Sequence, residues 1–163
     1  MKVTIFLGSD SDFEVVKEAL DILKEFEIPF NLEVTSAHRS PERTVRLIRE
    51  AEQQGTKVFI AAAGKAAHLP GVVAAHTVLP VIGVPVESQA LAGLDALLSI
   101  VQMPRGIPVA TVALGKTGGA NAALLAVSIL ATSDQKLKDR LEAYRLKMAE
   151  KVEESSRKLK EKL

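Results

Sequence analysis

The sequence predicts an α/β protein: a five-stranded parallel sheet in three layers, helices on both faces, and a long C-terminal helix. Three observations predict it. Five short apolar runs alternate with segments of helical periodicity. No long structureless loop separates them. The runs, such as Val3–Leu7 and Val58–Ala62, are continuously apolar, as in strands covered on both faces.

Composition narrows the function classes. The 163 residues are 47% hydrophobic and 25% charged, which suits a soluble globular core. Aromatic residues make up only 4%, with no Trp, so Val, Leu, Ile and Ala must build the core. Stacking platforms for single-stranded nucleic acid are correspondingly scarce. Net charge is +1, and the Lys and Arg residues lie mostly in mixed-sign helices, so no nucleic-acid partner is expected. The absence of Cys excludes disulfides, thiolate metal sites and a cysteine nucleophile. The apolar run before Gly8 is too short for a secretion signal or a membrane span, so a cytoplasmic location is expected, with no membrane partner.

Val3–Leu7 is the first strand. Gly8-Ser9-Asp10-Ser11-Asp12 leads from it into a helix from about Phe13 to Phe26, whose apolar positions Phe13, Val16, Leu20 and Leu23 share one face. Strand, Gly/Ser loop and helix together aim free N–H groups at an anion. Capping by Ser9 or Asp10 explains the same residues without a ligand. Two carboxylates in the loop repel a bare phosphate but suit sugar hydroxyls, so a phosphorylated sugar fits both halves.

Pro29 breaks the chain, and Asn31–Thr35 reads as the second strand. Ser36-Ala37-His38-Arg39-Ser40-Pro41 follows, with Ser40 as N-cap and Pro41 as first helical residue. That helix runs to Gln54, with Gly55 just beyond it. His38 and Arg39 therefore stand at the carboxyl end of a strand, where open α/β sheets bind ligands.

Val58–Ala62 is the third strand, running into Ala63-Gly64-Lys65-Ala66-Ala67-His68-Leu69-Pro70-Gly71. Its small residues permit close approach of a ligand to backbone. Val72–Ala75 suggests a short helix, and His76 reads as structural. Pro80–Val86 is the fourth strand, Glu87-Ser88-Gln89 its exit, and a helix follows from about Leu91 to Val101. Val109–Leu114 is the fifth strand. Gly115-Lys116-Thr117 then opens a helix through Leu130; a P-loop is rejected, because its first glycine would fall on Ala110, inside a strand.

Thr132-Ser133-Asp134-Gln135 resembles a capping box, and nothing after it breaks a helix to Leu163. Leu137, Leu141, Tyr144, Met148, Val152 and Leu159 form one apolar stripe. About thirty residues give a helix of about 45 Å, against a radius of gyration of about 15 Å for a globule of this size. Part of the stripe is therefore expected to pack on a neighbouring subunit. The expected organisation is a domain over 1–131 and this helix over 132–163.

Three loops, Gly8–Asp12, Ser36–Arg39 and Ala66–Gly71, together with Gly83-Val84-Pro85-Val86 and Ser99-Ile100-Val101-Gln102-Met103-Pro104, closely resemble the PurE family of purine biosynthesis. The resemblance runs to about Leu130 and is to the mutase class. Arg39 after His38 supports that class, because related direct carboxylases typically carry Lys there. Lys65 stands where many members have Gly.

The resemblance implies a flavodoxin-like fold, a homo-octamer, and transfer of a carboxylate from N5 to C4 of an aminoimidazole ribonucleotide, without metal or organic cofactor. By position, His38 would be the general acid/base. Ser9 and Asp12 would bind the ribose phosphate end, Arg39 would hold the phosphate, and Ser36, Gly64 and His68 would line the pocket. The residues suit that chemistry independently: one group must give a proton to nitrogen and take one from carbon near neutral pH, which is work for imidazole. Two alternatives stay open on the residues alone. One is direct carboxylation by carbon dioxide. The other is a non-catalytic flavin or nucleotide module, against which the lack of a stacking aromatic argues.

Overall fold

The computed structural model describes residues 2–162. Strands β1 (Lys2–Leu7), β2 (Phe30–Val34), β3 (Thr56–Gly64), β4 (Val81–Val86) and β5 (Ala110–Thr111) pair in parallel, in the order β2-β1-β3-β4-β5. Parallel pairing requires crossovers, and helices supply them. These are α1 (Phe13–Glu25), α2 (Pro41–Gln53), α3 (Leu69–Ala75), α4 (Leu94–Val101) and α5 (Gly115–Ala131), followed by α6 (Gln135–Lys160). This is the expected three-layer, flavodoxin-like arrangement. The order reverses between β1 and β3, which opens a crevice beyond their carboxyl ends.

Period-two alternation sends β1 side chains to both layers. Phe6 packs with Phe59, Ala61 and Ala63 of β3, Ile48 of α2, Leu69 and Val73 of α3, and Ala96 and Ile100 of α4. The Phe6 and Phe59 rings stack with centroids 5.6 Å apart. Val3, Ile5 and Leu7 bury toward the other face, as do Val16, Ala19 and Leu23 of α1. There α5 approaches α1 closely: a Cβ on Gly119 would lie 1.9 Å from the Val15 carbonyl oxygen. Only glycine fits that contact.

Several boundaries differ from expectation, each for a local reason. β5 has two residues rather than Val109–Leu114, because it is an edge strand behind Pro108 that meets only Ile82 and Gly83. α4 begins at Leu94, not Leu91, because Ala92 and Gly93 take left-handed φ values of 49° and 86° that a helix cannot contain. β3 extends two residues further at each end, and α3 starts earlier, at Leu69. Ser40 precedes α2 but makes no side-chain cap bond; its hydroxyl instead accepts from Ser36 N–H at 3.1 Å and donates to Ser36 O at 3.2 Å. In the tail, Asp134 rather than Thr132 is the cap, its carboxylate accepting Leu137 N–H at 3.0 Å.

The chain divides into two compact units after Ala126. All five strands lie in the first. In the second, α6 buries Leu137 and Leu141 and leaves Met148, Val152 and Leu159 exposed at 52%, 70% and 64%. The end of the expected helix at Leu163 falls outside the described residues. No helix among the described residues is long and apolar enough to cross a membrane.

Candidate active site

The exit loops of β1, β2, β3 and β4 surround a cavity of about 1070 Å³. Every residue singled out from the sequence lines it: Ser9, Asp12, Ser36, His38, Arg39, Gly64 and His68. His76 does not; it is exposed at the end of α3.

The β1 loop closes on itself. Ser9 caps a 3-10 turn over Asp10–Asp12, and Asp12 accepts Ser9 N–H at 3.0 Å, which completes a reciprocal capping box. Burial pushes the Asp12 carboxyl above its ordinary value, against the Ser9 N–H and Ser11 hydroxyl that favour the anion; the nearby Asp10 charge adds to burial.

The β2 loop is tied to it by Arg39. The Arg39 guanidinium donates to Gly8 O at 3.2 Å and to Ser36 Oγ at 3.4 Å, while Arg39 N–H also donates to Ser36 Oγ, at 3.1 Å. The exposed guanidinium therefore sits over the β1 loop with donors to spare.

The β3 loop brings the second imidazole. His38 Nε2 and His68 Nδ1 are 2.7 Å apart, with the rings edge-on at 76°. At that distance one proton lies between them, and one ring donates to the other. The sequence reading placed His68 in the pocket lining but did not pair it with His38. Thirty residues separate the two, and the parallel β2/β1 and β1/β3 pairings together bring their loops side by side. Gly64 ends β3 with Val86 as its partner, and a Cβ there would meet the Val86 carbonyl at 3.2 Å, so this side of the cavity is kept small.

The sequence reading did not place the β4 exit at the site. Glu87, Ser88, Gln89 and Ala90 line the cavity with Asp95 of α4. Ser88 Oγ donates to Asp95 at 3.1 Å, and Asp95 also accepts Ala96 N–H at 2.9 Å, which pins the loop to its helix. The available signal was the crevice rule itself, applied to the fourth strand as it was to the second. Among the described residues, no group of three or more His, Cys, Asp or Glu side chains is disposed to hold a metal ion.

Paired imidazoles, a guanidinium and a capped Gly/Ser loop stand together at the switch point of a doubly wound sheet, an arrangement chemically able to move a proton and hold an anion, as an enzyme site requires. The chain belongs to the AIR carboxylase family, whose model matches residues 2–151. It is 55% identical to a Pyrococcus horikoshii protein named N5-carboxyaminoimidazole ribonucleotide mutase, over 98% of this chain and 89% of that one. An Escherichia coli K12 protein of the same name is 51% identical, over 94% of this chain and 91% of its own length. The crystal structure of Treponema denticola PurE superposes with a TM-score of 0.88 at 33% identity, covering 97% of this chain and 98% of the other.

Proposed function

We propose that this protein is an N5-carboxyaminoimidazole ribonucleotide mutase, an isomerase of purine biosynthesis that moves a carboxylate from N5 to C4. The observation that carries the reading is the His38–His68 pair, 2.7 Å apart at the rim of the cavity that Arg39 also lines. The shared name of the mutase relatives at 51% and 55% identity supports it over direct carboxylation.

The imidazole pair holds the proton that the reaction moves. His38 protonates N5, the N5–carboxylate bond breaks, and its electrons return to nitrogen as carbon dioxide leaves. The enamine carbon C4 of the ribonucleotide then attacks the carbon dioxide, forming the new C–C bond. His38, now neutral, takes the C4 proton and ends as it began. His68 keeps the ring oriented and shares the proton between steps. Arg39 holds the phosphate, with the Ser9 and Asp12 loop on the ribose phosphate end, Ser36 orienting Arg39, and Gly64 leaving room for the imidazole. A cavity walled by small residues limits escape of the gas.

The protein works as a soluble cytoplasmic homo-octamer. Its nucleotide-binding domain spans 1–131, and the helix over 132–163 packs on a neighbouring subunit. Exposed Met148, Val152 and Leu159 on α6 support this, as do exposed Leu94, Leu98 and Val101 on α4. The decisive experiment is turnover of the N5-carboxylated ribonucleotide without added bicarbonate or ATP. The reading requires turnover under those conditions. Product formed only from the decarboxylated ribonucleotide with bicarbonate would establish the carboxylase instead.

A further inference from the structure

Lys65 is out of place in its loop. Every other residue from Ala61 to Ala67 is Ala or Gly, so the segment otherwise carries no functional side chain. Lys65 also takes φ 56°, a left-handed conformation that L residues adopt at an energetic cost. Its backbone is held there by a tight turn, with Ala67 N–H donating to Lys65 O at 2.9 Å. The exposed side chain lines the cavity, and it is not among the residues that have a hydrogen bond or ion pair. A strained backbone that presents an unpaired cation to a ligand cavity is the pattern of a binding residue.

Its position selects the ligand group. Arg39 follows β2 and Lys65 follows β3, with β1 and its Ser9 loop between them. Strands two apart stand about 10 Å from each other. The two cations therefore reach the cavity from loops on opposite sides of the β1 loop. Arg39 is bound to the β1 loop through Gly8 O, on the side assigned to the phosphate. Lys65 lies three residues before His68, in the loop that carries the second imidazole of the pair, and makes no hydrogen bond to the β1 loop's Gly8 O that engages Arg39.

We infer that Lys65 recognises the migrating carboxylate, pairing its ammonium with that group in the carboxylated ribonucleotide and releasing it when carbon dioxide forms. This rests on the mutase reading. It makes Lys65 a specificity residue that distinguishes carboxylated ligands from the decarboxylated one, whose imidazole end carries no negative charge.

Calorimetric titration of the wild type and of Lys65→Met, Lys65→Gly and Lys65→Arg tests it, using the C4-carboxylated and the decarboxylated ribonucleotides as ligands. Met and Gly should each weaken the carboxylated ligand by roughly five- to tenfold, less at high salt, and leave the decarboxylated ligand unchanged. Arg should restore binding. Gly frees the backbone while Met keeps the same left-handed L residue, so a loss seen in Gly alone assigns the effect to loop shape, and a loss seen in Met alone shows that the ammonium is not required; either overturns the inference. Equal loss for both ligands puts the ammonium on the phosphate, and no loss leaves it without a role; either result overturns the inference while the mutase reading stands. A wild type that binds neither ribonucleotide overturns the mutase reading and this inference with it.

Discussion

Nε2 of His38 lies 2.7 Å from Nδ1 of His68, although the two histidines come from loops after different strands. At that distance the two rings share one hydrogen bond, so a proton has a direct path from one imidazole to the other. The proposed reaction moves one proton, and this contact joins the two rings that would handle it.

His38→Asn is expected to lower kcat by about 10²- to 10⁴-fold while ribonucleotide binding survives. Asn keeps a polar contact to His68 but cannot give and take a proton. His68→Gln should lose less, roughly ten- to a hundredfold, because it misplaces the His38 ring without removing it. Steady-state kinetics beside a binding isotherm checks both, and near-normal turnover in His38→Asn would refute the assignment.

Arg39→Lys should raise KM by about ten- to a hundredfold, the usual worth of a hydrogen bond to a charged group. A single ammonium cannot hold Ser36 Oγ and Gly8 O and still offer a fork to phosphate. Competition by inorganic phosphate should weaken in parallel. If KM is unchanged, the phosphate is held elsewhere.

Asp12 predicts a pH dependence of stability. Burial raises its carboxyl above the ordinary value, so the folded chain keeps this proton to higher pH than the unfolded chain does. Stability from this group is complete below the ordinary carboxylate range and falls as pH rises through the raised value. Asp12→Asn removes that decline and can still accept Ser9 N–H, so its denaturation midpoint should gain on the wild type as pH rises from about 3 to 7. Ribonucleotide affinity should drop in the same variant. Parallel stability profiles for the two proteins would contradict the account.

Gly119→Ala should destabilise the fold by about 3 kcal/mol or prevent folding, since the added methyl would lie 1.9 Å from the Val15 carbonyl oxygen. Gly55→Ala gives the contrast. Its φ of 87° strains any side chain, but nothing lies within 4 Å, so about 1 kcal/mol is expected. Urea midpoints of the two variants compare a clash with a conformational cost.

The layers and the strand succession were readable because buried parallel strands are written as continuous apolar runs, as at Val58–Ala62, and because Gly and Pro punctuate them. Local loop chemistry and family resemblance together point to Ser9, Asp12, Ser36, His38, Arg39, Gly64 and His68 as candidates, and all seven line one cavity. What escaped was non-local. The His38–His68 contact depends on the β2-β1-β3 order, which no single loop encodes. Helix starts were misjudged where a side chain had another partner, as Ser40 has in Ser36, or where φ turned positive, as at Ala92 and Gly93. The shortness of β5 lies in its pairing, which engages only Ile82 and Gly83 of β4 and which hydrophobicity does not report.

Where Gly119 meets Val15, backbone touches backbone, with no side chain between them to change rotamer or yield. The first turn of α1 is braced there, and the Ser9–Asp12 loop that leads into it becomes a fixed jaw. The β3 exit is built differently, from Ala and Gly around a left-handed turn at Lys65, and the β4 exit turns through left-handed Ala92 and Gly93. In amide exchange, the braced Val15 and Val16 should stay among the slowest sites of the chain, and Gly119→Ala should speed both.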